Sequence, residues 1–155
     1  MLVTTPRHAG AKAVELAKSF ALFSGSAYAA RGKKTVDQIV SEARKKGYHS
    51  AAVASDGEIA FISVSLSGWN WKGKALRVLG WKAGPAARKC KKGCEPGVLQ
   101  GPDATVLHIL FGLDSFHSGD CASHAGNGKM ELKCGKELAF SMEYEIVKSG
   151  VKDEK

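Results

Sequence analysis

Basic side chains are the largest group of residues in this sequence that could bind a ligand. Residues 1–94 carry 17 lysine and arginine residues against 5 acidic residues, and residues 59–94 contain no acidic side chain. Residues 95–155 are acidic on balance, and the whole chain has a net charge of +8. Such an uneven charge predicts a surface that binds a polyanion, of which nucleic acid is the commonest. A surface that only keeps the protein in solution is the alternative.

The basic residues that we expect to contact phosphate groups fall in three groups along the chain. Trp69 and Trp71 precede the third group, and they either stack on exposed bases or cover the hydrophobic core. The candidates are, in chain order, Arg7, His8, Arg31, Lys33, Lys34, Lys72, Lys74, Arg77, Arg88, Lys89, Lys91 and Lys92.

Cysteine and histidine spacing offers a possible metal site. Cys90 and Cys94 are followed by Cys121 and His124, and thiolates with an imidazole at such spacing can bind zinc in a tetrahedron. Three residues instead of the commoner two separate the first pair, basic residues crowd it, and Cys134 is left over. We therefore predict no metal and no other cofactor, and we expect free thiols in a reducing, cytoplasmic setting.

Catalytic motifs are missing from the sequence. There is no phosphate-binding P-loop and no dinucleotide-binding glycine pattern, and the five histidines have no recognisable catalytic spacing. Because catalytic groups assemble in space, a small α/β enzyme that uses a cysteine or histidine remains an alternative.

Two predicted strand-to-helix units position the first two basic groups. A strand from Leu2 ends at Pro6 and leads into a helix over residues 9–23, which Gly25 ends. A second strand over residues 27–30 precedes a helix that Thr35 and Gln38 begin as a capping box. Arg7 and residues 31–34 thus each follow a strand, and we expect them at one edge of a sheet, where helix N-termini also favour phosphate.

The rest of the pattern predicts helices packed on a partly parallel sheet, with an antiparallel hairpin around Asp56-Gly57. After the hairpin we expect a strand over residues 74–81, a basic loop over 84–101, a helix over 104–113 with Asp103 as N-cap, a loop over 115–128, and strands over 129–134 and 138–147. At 155 residues and 16.4 kDa the chain has the size of a single domain. The longest apolar run, residues 106–113, is too short to span a membrane, and no signal peptide is expected.

The sequence resembles the Brix-domain proteins of ribosome biogenesis, specifically their short archaeal single-domain members. The resemblance is carried by the opening Leu2-Val3-Thr4-Thr5-Pro6-Arg7, where Pro6 replaces the usual serine, and by Arg31-Gly32-Lys33-Lys34-Thr35. The hairpin at Asp56-Gly57 and the apolar run that ends in Leu110-Phe111-Gly112-Leu113 also match the family pattern.

This resemblance implies an α/β fold: a single domain over residues 1–155 with two similar halves, about 1–68 and 69–150, and a frayed tail over 151–155. It implies likeness to the anticodon-binding domain of class II tRNA synthetases. It also implies no catalysis and binding to ribosomal RNA or its precursor during subunit assembly, beside ribosomal proteins or other assembly factors. Arg7 and Arg31 would either face RNA or tie the structure together. A tRNA-binding module of the anticodon-binding type is the other interpretation.

Overall fold

The structure is a computed structural model that describes residues 1–84, 96–112 and 121–150. These residues form one nine-stranded sheet and three helices. The strands are β1 (Leu2–Thr4), β2 (Ala27–Tyr28), β3 (Ser50–Ala54), β4 (Glu58–Val64), β5 (Trp69–Ala83), β6 (Pro96–Gln100), β7 (Cys121–Gly126), β8 (Lys129–Cys134) and β9 (Glu137–Lys148). The helices are α1 (Ala11–Ser24), α2 (Val36–Lys45) and α3 (Ala104–Phe111).

The sheet is mixed, as the alternation of strands and helices predicts. Its strand order is β2-β1-β3-β4-β5-β9-β8-β7-β6. Strand β1 is parallel to β2 and β3, and β6 is parallel to β7. The remaining neighbours are antiparallel, so the sheet has a parallel segment at each end and an antiparallel centre.

Local capping and turn signals predict several elements correctly. The Thr35 hydroxyl accepts a hydrogen bond from the Gln38 backbone N–H, and the Gln38 side chain accepts one from the Thr35 backbone N–H, which completes the capping box of α2. Gly25 ends α1 in the left-handed conformation, with φ of 65°, which glycine adopts without steric cost. The hairpin between β3 and β4 turns at Asp56-Gly57, as predicted.

Two segments that were expected to be loops contain strands instead. Strand β6 lies within the predicted loop 84–101, and β7 lies within the predicted loop 115–128. In β7 the side chains of Cys121, Ser123 and Ala125 are buried while those of Ala122 and His124 are exposed. This alternation uses small residues with little hydrophobic contrast, so the period-two pattern of a strand does not stand out in the sequence.

Strand β5 is nearly twice as long as predicted, because its two neighbours pair with different, only partly overlapping parts of it. Its first part pairs with β4 and its second part with β9. A register shift between Val78 and Gly80 marks a β-bulge, and Leu79 is 55% exposed there.

Asp103 occupies the N-cap position of α3 but makes no cap hydrogen bond there. Its carboxylate instead accepts a hydrogen bond from the Tyr144 hydroxyl, at 2.5 Å between Oδ2 and Oη. Burial of the phenol and this hydrogen bond raise the pKa of Tyr144. The predicted N-cap position is therefore confirmed, but the Asp103 side chain joins α3 to β9 instead of capping the helix.

The main hydrophobic core lies between the sheet and helices α1 and α3. Its centre is an aromatic cluster in which Phe20 of α1, Phe61 of β4 and Phe111 of α3 meet at centroid distances of 5.2–6.3 Å. Phe23 of α1 reaches Phe140 of β9 at 5.6 Å. One core therefore unites elements from both ends of the chain.

Helix α2 covers the opposite face of the sheet. Ile39, Val40 and Ala43 pack against Leu2 and Ile62, so strands β1 to β4 are covered on both faces. None of the helices in the described ranges is long and apolar enough to cross a bilayer.

We expect Phe20→Ala to lower the free energy of unfolding by about 3–5 kcal/mol, because it removes a fully buried ring from the contacts that join α1, β4 and α3. Chemical denaturation monitored by circular dichroism measures this change. The control is Leu66→Ala, at a side chain that is 94% exposed, and its effect should stay within about 0.5 kcal/mol. Equal effects of the two substitutions would contradict this description of the core.

Candidate nucleic-acid interface

The carboxyl ends of β1 and β2 bring the first two basic groups together. The strands are parallel neighbours, and Thr4 Oγ1, at the end of β1, donates a hydrogen bond at 2.7 Å to the carbonyl of Ala29, the residue after β2. Arg7 Nε donates to the Lys34 carbonyl at 3.3 Å. We call residues 7–10 and 31–34 the β1–β2 edge.

Arg31 is an interior residue of this edge. It is only 8% exposed, its Nε donates to the Lys34 carbonyl at 2.7 Å, and its Nη1 donates to the Thr5 carbonyl at 3.3 Å. The guanidinium group thus ties the segment after β2 to the segment after β1. Of the two roles that the sequence leaves open for Arg31, the contacts support the structural tie.

The remaining basic side chains of the edge differ in their charge balance. Lys34 Nζ pairs with Glu42 Oε2 at 2.8 Å, and this hydrogen bond lowers the pKa of Glu42. Arg7, His8 and Lys33 are exposed, and no acidic side chain of the described residues forms an ion pair with them. These three residues are therefore the accessible basic side chains of the edge.

Helix α1 begins at the same edge. Gly10 is its N-cap, no side chain caps it, and its first turn contains no acidic residue. The first backbone N–H groups of a helix lack intrahelical partners and carry partial positive charge. The edge therefore combines three exposed basic side chains with an uncapped helix N-terminus, a combination that suits phosphate.

Lys72, from the third basic group, lies elsewhere. Its Nζ donates to the carbonyls of Ile109 and Leu110 at 2.9 Å each and lies 3.3 Å from Ser50 Oγ. Ser50 begins β3, at the end of that strand away from the β1–β2 edge. Burial lowers the pKa of Lys72, while the last carbonyls of α3 favour a cation. Lys72 therefore joins β5 to the end of α3.

Two other members of the third group lie along β5. Exposed Lys74 stands opposite Lys148 of β9, and Arg77 Nη1 pairs with Glu145 Oε2 at 3.2 Å. Arg88, Lys89, Lys91 and Lys92 lie outside the described residues. The described members of the third group thus do not extend the β1–β2 edge into one continuous line.

Trp69 and Trp71 pack on the α2 side of the sheet. Their rings meet edge to face at a centroid distance of 5.8 Å, and Trp69 Nε1 donates to Asp37 Oδ1 at 2.7 Å. Both indoles pack against the smaller hydrophobic cluster under α2. The contacts support the interpretation that they cover the core.

A groove that the sequence does not reveal lies beside α1. It has a volume of about 620 Å³, and its lining includes Lys18, Leu22, Tyr28 and Trp81. We call it the aromatic groove. Tyr28 and Trp81 are more than fifty positions apart in the chain, so no local spacing could have indicated their proximity.

The expectation of free thiols is wrong for two of the four cysteines, since Cys121 and Cys134 are disulfide-bonded. Cys121 is therefore not available as a thiolate ligand for zinc, and His124 is an exposed residue of β7. Cys90 and Cys94 lie outside the described residues. Among the residues that the structure describes, no three histidine, cysteine or acidic side chains are grouped so that they could hold a metal ion.

No protein-family model and no curated protein matches the chain. Solved structures do match the chain in fold. A probable ribosomal biogenesis protein from Aeropyrum pernix K1 aligns with a TM-score of 0.63 at 17% identity, over 97% of this chain and 96% of that one. Mil, an archaeal Imp4-like protein, aligns with a TM-score of 0.61 at 18% identity, over 96% of this chain and all of that one.

The chain thus has the fold of these two archaeal proteins. At these identities the likeness concerns the fold. The sequence indicates a resemblance to the short archaeal Brix-domain proteins on residues 2–7 and 31–35. This resemblance is confirmed for the fold.

We expect Lys72→Ala to lower the free energy of unfolding by about 1–2 kcal/mol, because the last carbonyls of α3 lose a charged donor. Urea denaturation measures this change. Lys74→Ala removes the same side-chain charge at an exposed position two residues away and should change stability by less than about 0.5 kcal/mol. A larger loss from Lys74→Ala than from Lys72→Ala would refute the assignment.

Thiol titration tests the disulfide assignment. The chain has four cysteines, of which at least Cys121 and Cys134 are oxidised, so the denatured protein should present at most two reactive thiols before reduction. After reduction and removal of the reductant it should present four. Four thiols before reduction would contradict the assignment.

Proposed function

We propose that this protein is a non-enzymatic RNA-binding factor of ribosome biogenesis, which holds ribosomal RNA or its precursor at the β1–β2 edge. The observation that carries the proposal is that Arg7, His8 and Lys33 are exposed on the two joined segments of the edge at which the uncapped helix α1 begins. The fold likeness to a probable ribosomal biogenesis protein supports the biological setting. We accordingly propose membership of the archaeal Brix-domain family.

Phosphate groups are what this edge would contact. Arginine and lysine side chains with helix N-terminal amides are common phosphate ligands, and such contacts position a nucleic acid without reading its sequence. Arg31 would act indirectly, because its hydrogen bonds hold the two segments of the edge in place. Lys74 and the basic residues over 88–92 would extend the electrostatic attraction to other parts of the surface, whereas the charge of Arg77 is paired with Glu145.

We also propose that the domain consists of two similar α/β halves, as in the anticodon-binding domain of class II tRNA synthetases. The sheet order supports this, since each half would run from parallel strands at its outer end into antiparallel strands and end in β5 or β9 at the centre. This arrangement favours a boundary after β5 over the expected one near residue 68. Residues 151–155 lie outside the described residues.

The setting of the proposed function is cytoplasmic subunit assembly, where ribosomal proteins or other assembly factors would be further partners. The acidic second part of the chain offers charge complementarity to a basic ribosomal protein. A tRNA-binding module remains the second candidate, because the proposed relation to an anticodon-binding domain favours it.

The variant Arg7→Glu/Lys33→Glu tests the function. We expect wild-type protein to bind ribosomal RNA fragments with an affinity that falls steeply as salt rises, because phosphate contacts release counterions. The double variant should bind at least about tenfold more weakly and show a shallower dependence of log affinity on log salt. Fluorescence anisotropy with labelled ribosomal RNA, tRNA and duplex DNA measures both quantities.

A charge-matched control separates the edge from net charge. Lys133→Glu/Lys136→Glu changes the total charge by the same amount at exposed lysines of β8 and the following turn. Its effect on RNA affinity should be much smaller. Equal losses in both double variants would show attraction to net charge alone, and preference for tRNA would favour the second candidate.

A further inference from the structure

We infer that the aromatic groove is a binding site for one unpaired nucleobase of an RNA strand that lies on the β1–β2 edge. This inference rests on the proposed RNA-binding function and adds a second kind of contact to it. The groove is formed by α1, by β2 with the residues just before it, and by the end of β5.

The walls of the groove provide surfaces for stacking. Tyr28 and Trp81 are partly buried, pack against the main core through part of their surface, and leave the rest open to the groove. Lys18 Nζ lies 5.5 Å from the centroid of the Tyr28 ring, a cation–π distance that holds the ammonium group beside the aromatic face. Aromatic rings stack on any base, and a neighbouring cation can pair with the phosphate of the same nucleotide.

The rim of the groove provides groups for the polar edge of a base. Glu15, Ser19 and Ser26 line it together with the apolar side chain of Leu22. Ser26 Oγ lies 2.8 Å from Ser24 Oγ, and a serine hydroxyl has lone pairs that can accept a hydrogen bond as well as a proton that can be donated. A carboxylate acceptor beside hydroxyl groups suits the exocyclic amino groups and carbonyls of bases. A volume of about 620 Å³ falls in the range of small-molecule sites and accommodates one base with its sugar.

Helix α1 connects the groove to the β1–β2 edge. Ala11, Glu15, Lys18 and Leu22 share one face of the helix, because residues three and four positions apart are neighbours there. Ala11 is the first residue of α1, and Lys18 lies seven residues later, about 10 Å along the axis. A single strand held by its phosphates at the helix N-terminus could therefore place a nearby base in the groove. The cation at the groove and the polar rim favour a nucleotide over an apolar peptide segment.

The test uses the full chain and a single-stranded ribosomal RNA oligonucleotide, the same oligonucleotide with abasic sites, and a duplex. Trp81→Ala should weaken binding of the intact single strand by about 5- to 150-fold, the range expected for loss of one stacked base, without changing the salt slope. Trp81→Phe keeps a ring and should retain most of the affinity. Tyr48→Ala, which removes an aromatic ring on the α2 side of the sheet, is the matched control and should bind like wild type.

The outcomes distinguish RNA binding in the aromatic groove from RNA binding at the β1–β2 edge. If Arg7→Glu/Lys33→Glu loses affinity while Trp81→Ala binds all three RNAs like wild type, the groove inference fails and the proposed function stands. If Trp81→Ala weakens the abasic strand as much as the intact strand, no base is bound there and the inference fails. If wild-type protein binds none of the RNAs, both fail.

A second measurement avoids substitutions that disturb folding. Wild-type protein is photo-crosslinked to the same oligonucleotide carrying 4-thiouridine, and the linked peptides are identified by mass spectrometry. We expect crosslinks at Tyr28, Trp81 or their immediate neighbours. Crosslinks confined to other parts of the chain would overturn the inference.

Discussion

The pairing of β5 with β9 is the interaction on which the rest of the molecule depends. It runs from Lys74 opposite Lys148 to Ala83 opposite Phe140, and both strands lie at the centre of the sheet. Strands from the two ends of the chain thereby become one sheet, and one core can form beneath it. Without this pairing, each part would expose a long central edge, which favours association with other chains.

The same pairing explains why basic residues of β5 have partners within the protein. Strand β5 carries Lys72 to the last turn of α3 and Arg77 to Glu145, where both positive charges meet oxygen acceptors within the protein. At the β1–β2 edge, by contrast, Arg7 and Lys33 remain exposed. Some basic residues are thus paired within the protein, Lys33 is left available to an external anion, and Arg7 combines a hydrogen bond to the Lys34 carbonyl with an exposed side chain. Net charge alone does not show which basic residues are paired and which are available.

How much of this the sequence reveals depends on how local each signal is. The capping box at Thr35, the turn at Asp56-Gly57 and the shared edge of Arg7 with residues 31–34 follow from short-range chemistry and from the direction of parallel strands. Strand β7 was missed because small residues hide its alternation, and β6 because it begins with proline and glycine, which are depleted in strands. The position of Lys72 and the proximity of Tyr28 to Trp81 depend on how distant elements pack, and no spacing within the sequence encodes such contacts.

The two arginines of the β1–β2 edge share one acceptor, the carbonyl oxygen of Lys34. Because that oxygen belongs to the backbone, the residue type at position 34 has no part in these two hydrogen bonds. A substitution of the Lys34 side chain would remove its ion pair with Glu42 but leave both of these hydrogen bonds an acceptor. The same bonds keep the segment ordered before any anion arrives, so an incoming strand loses less affinity to the conformational entropy of ordering the protein. The edge thus depends on its two arginines for its geometry, whereas Lys33 adds charge without a part in these hydrogen bonds.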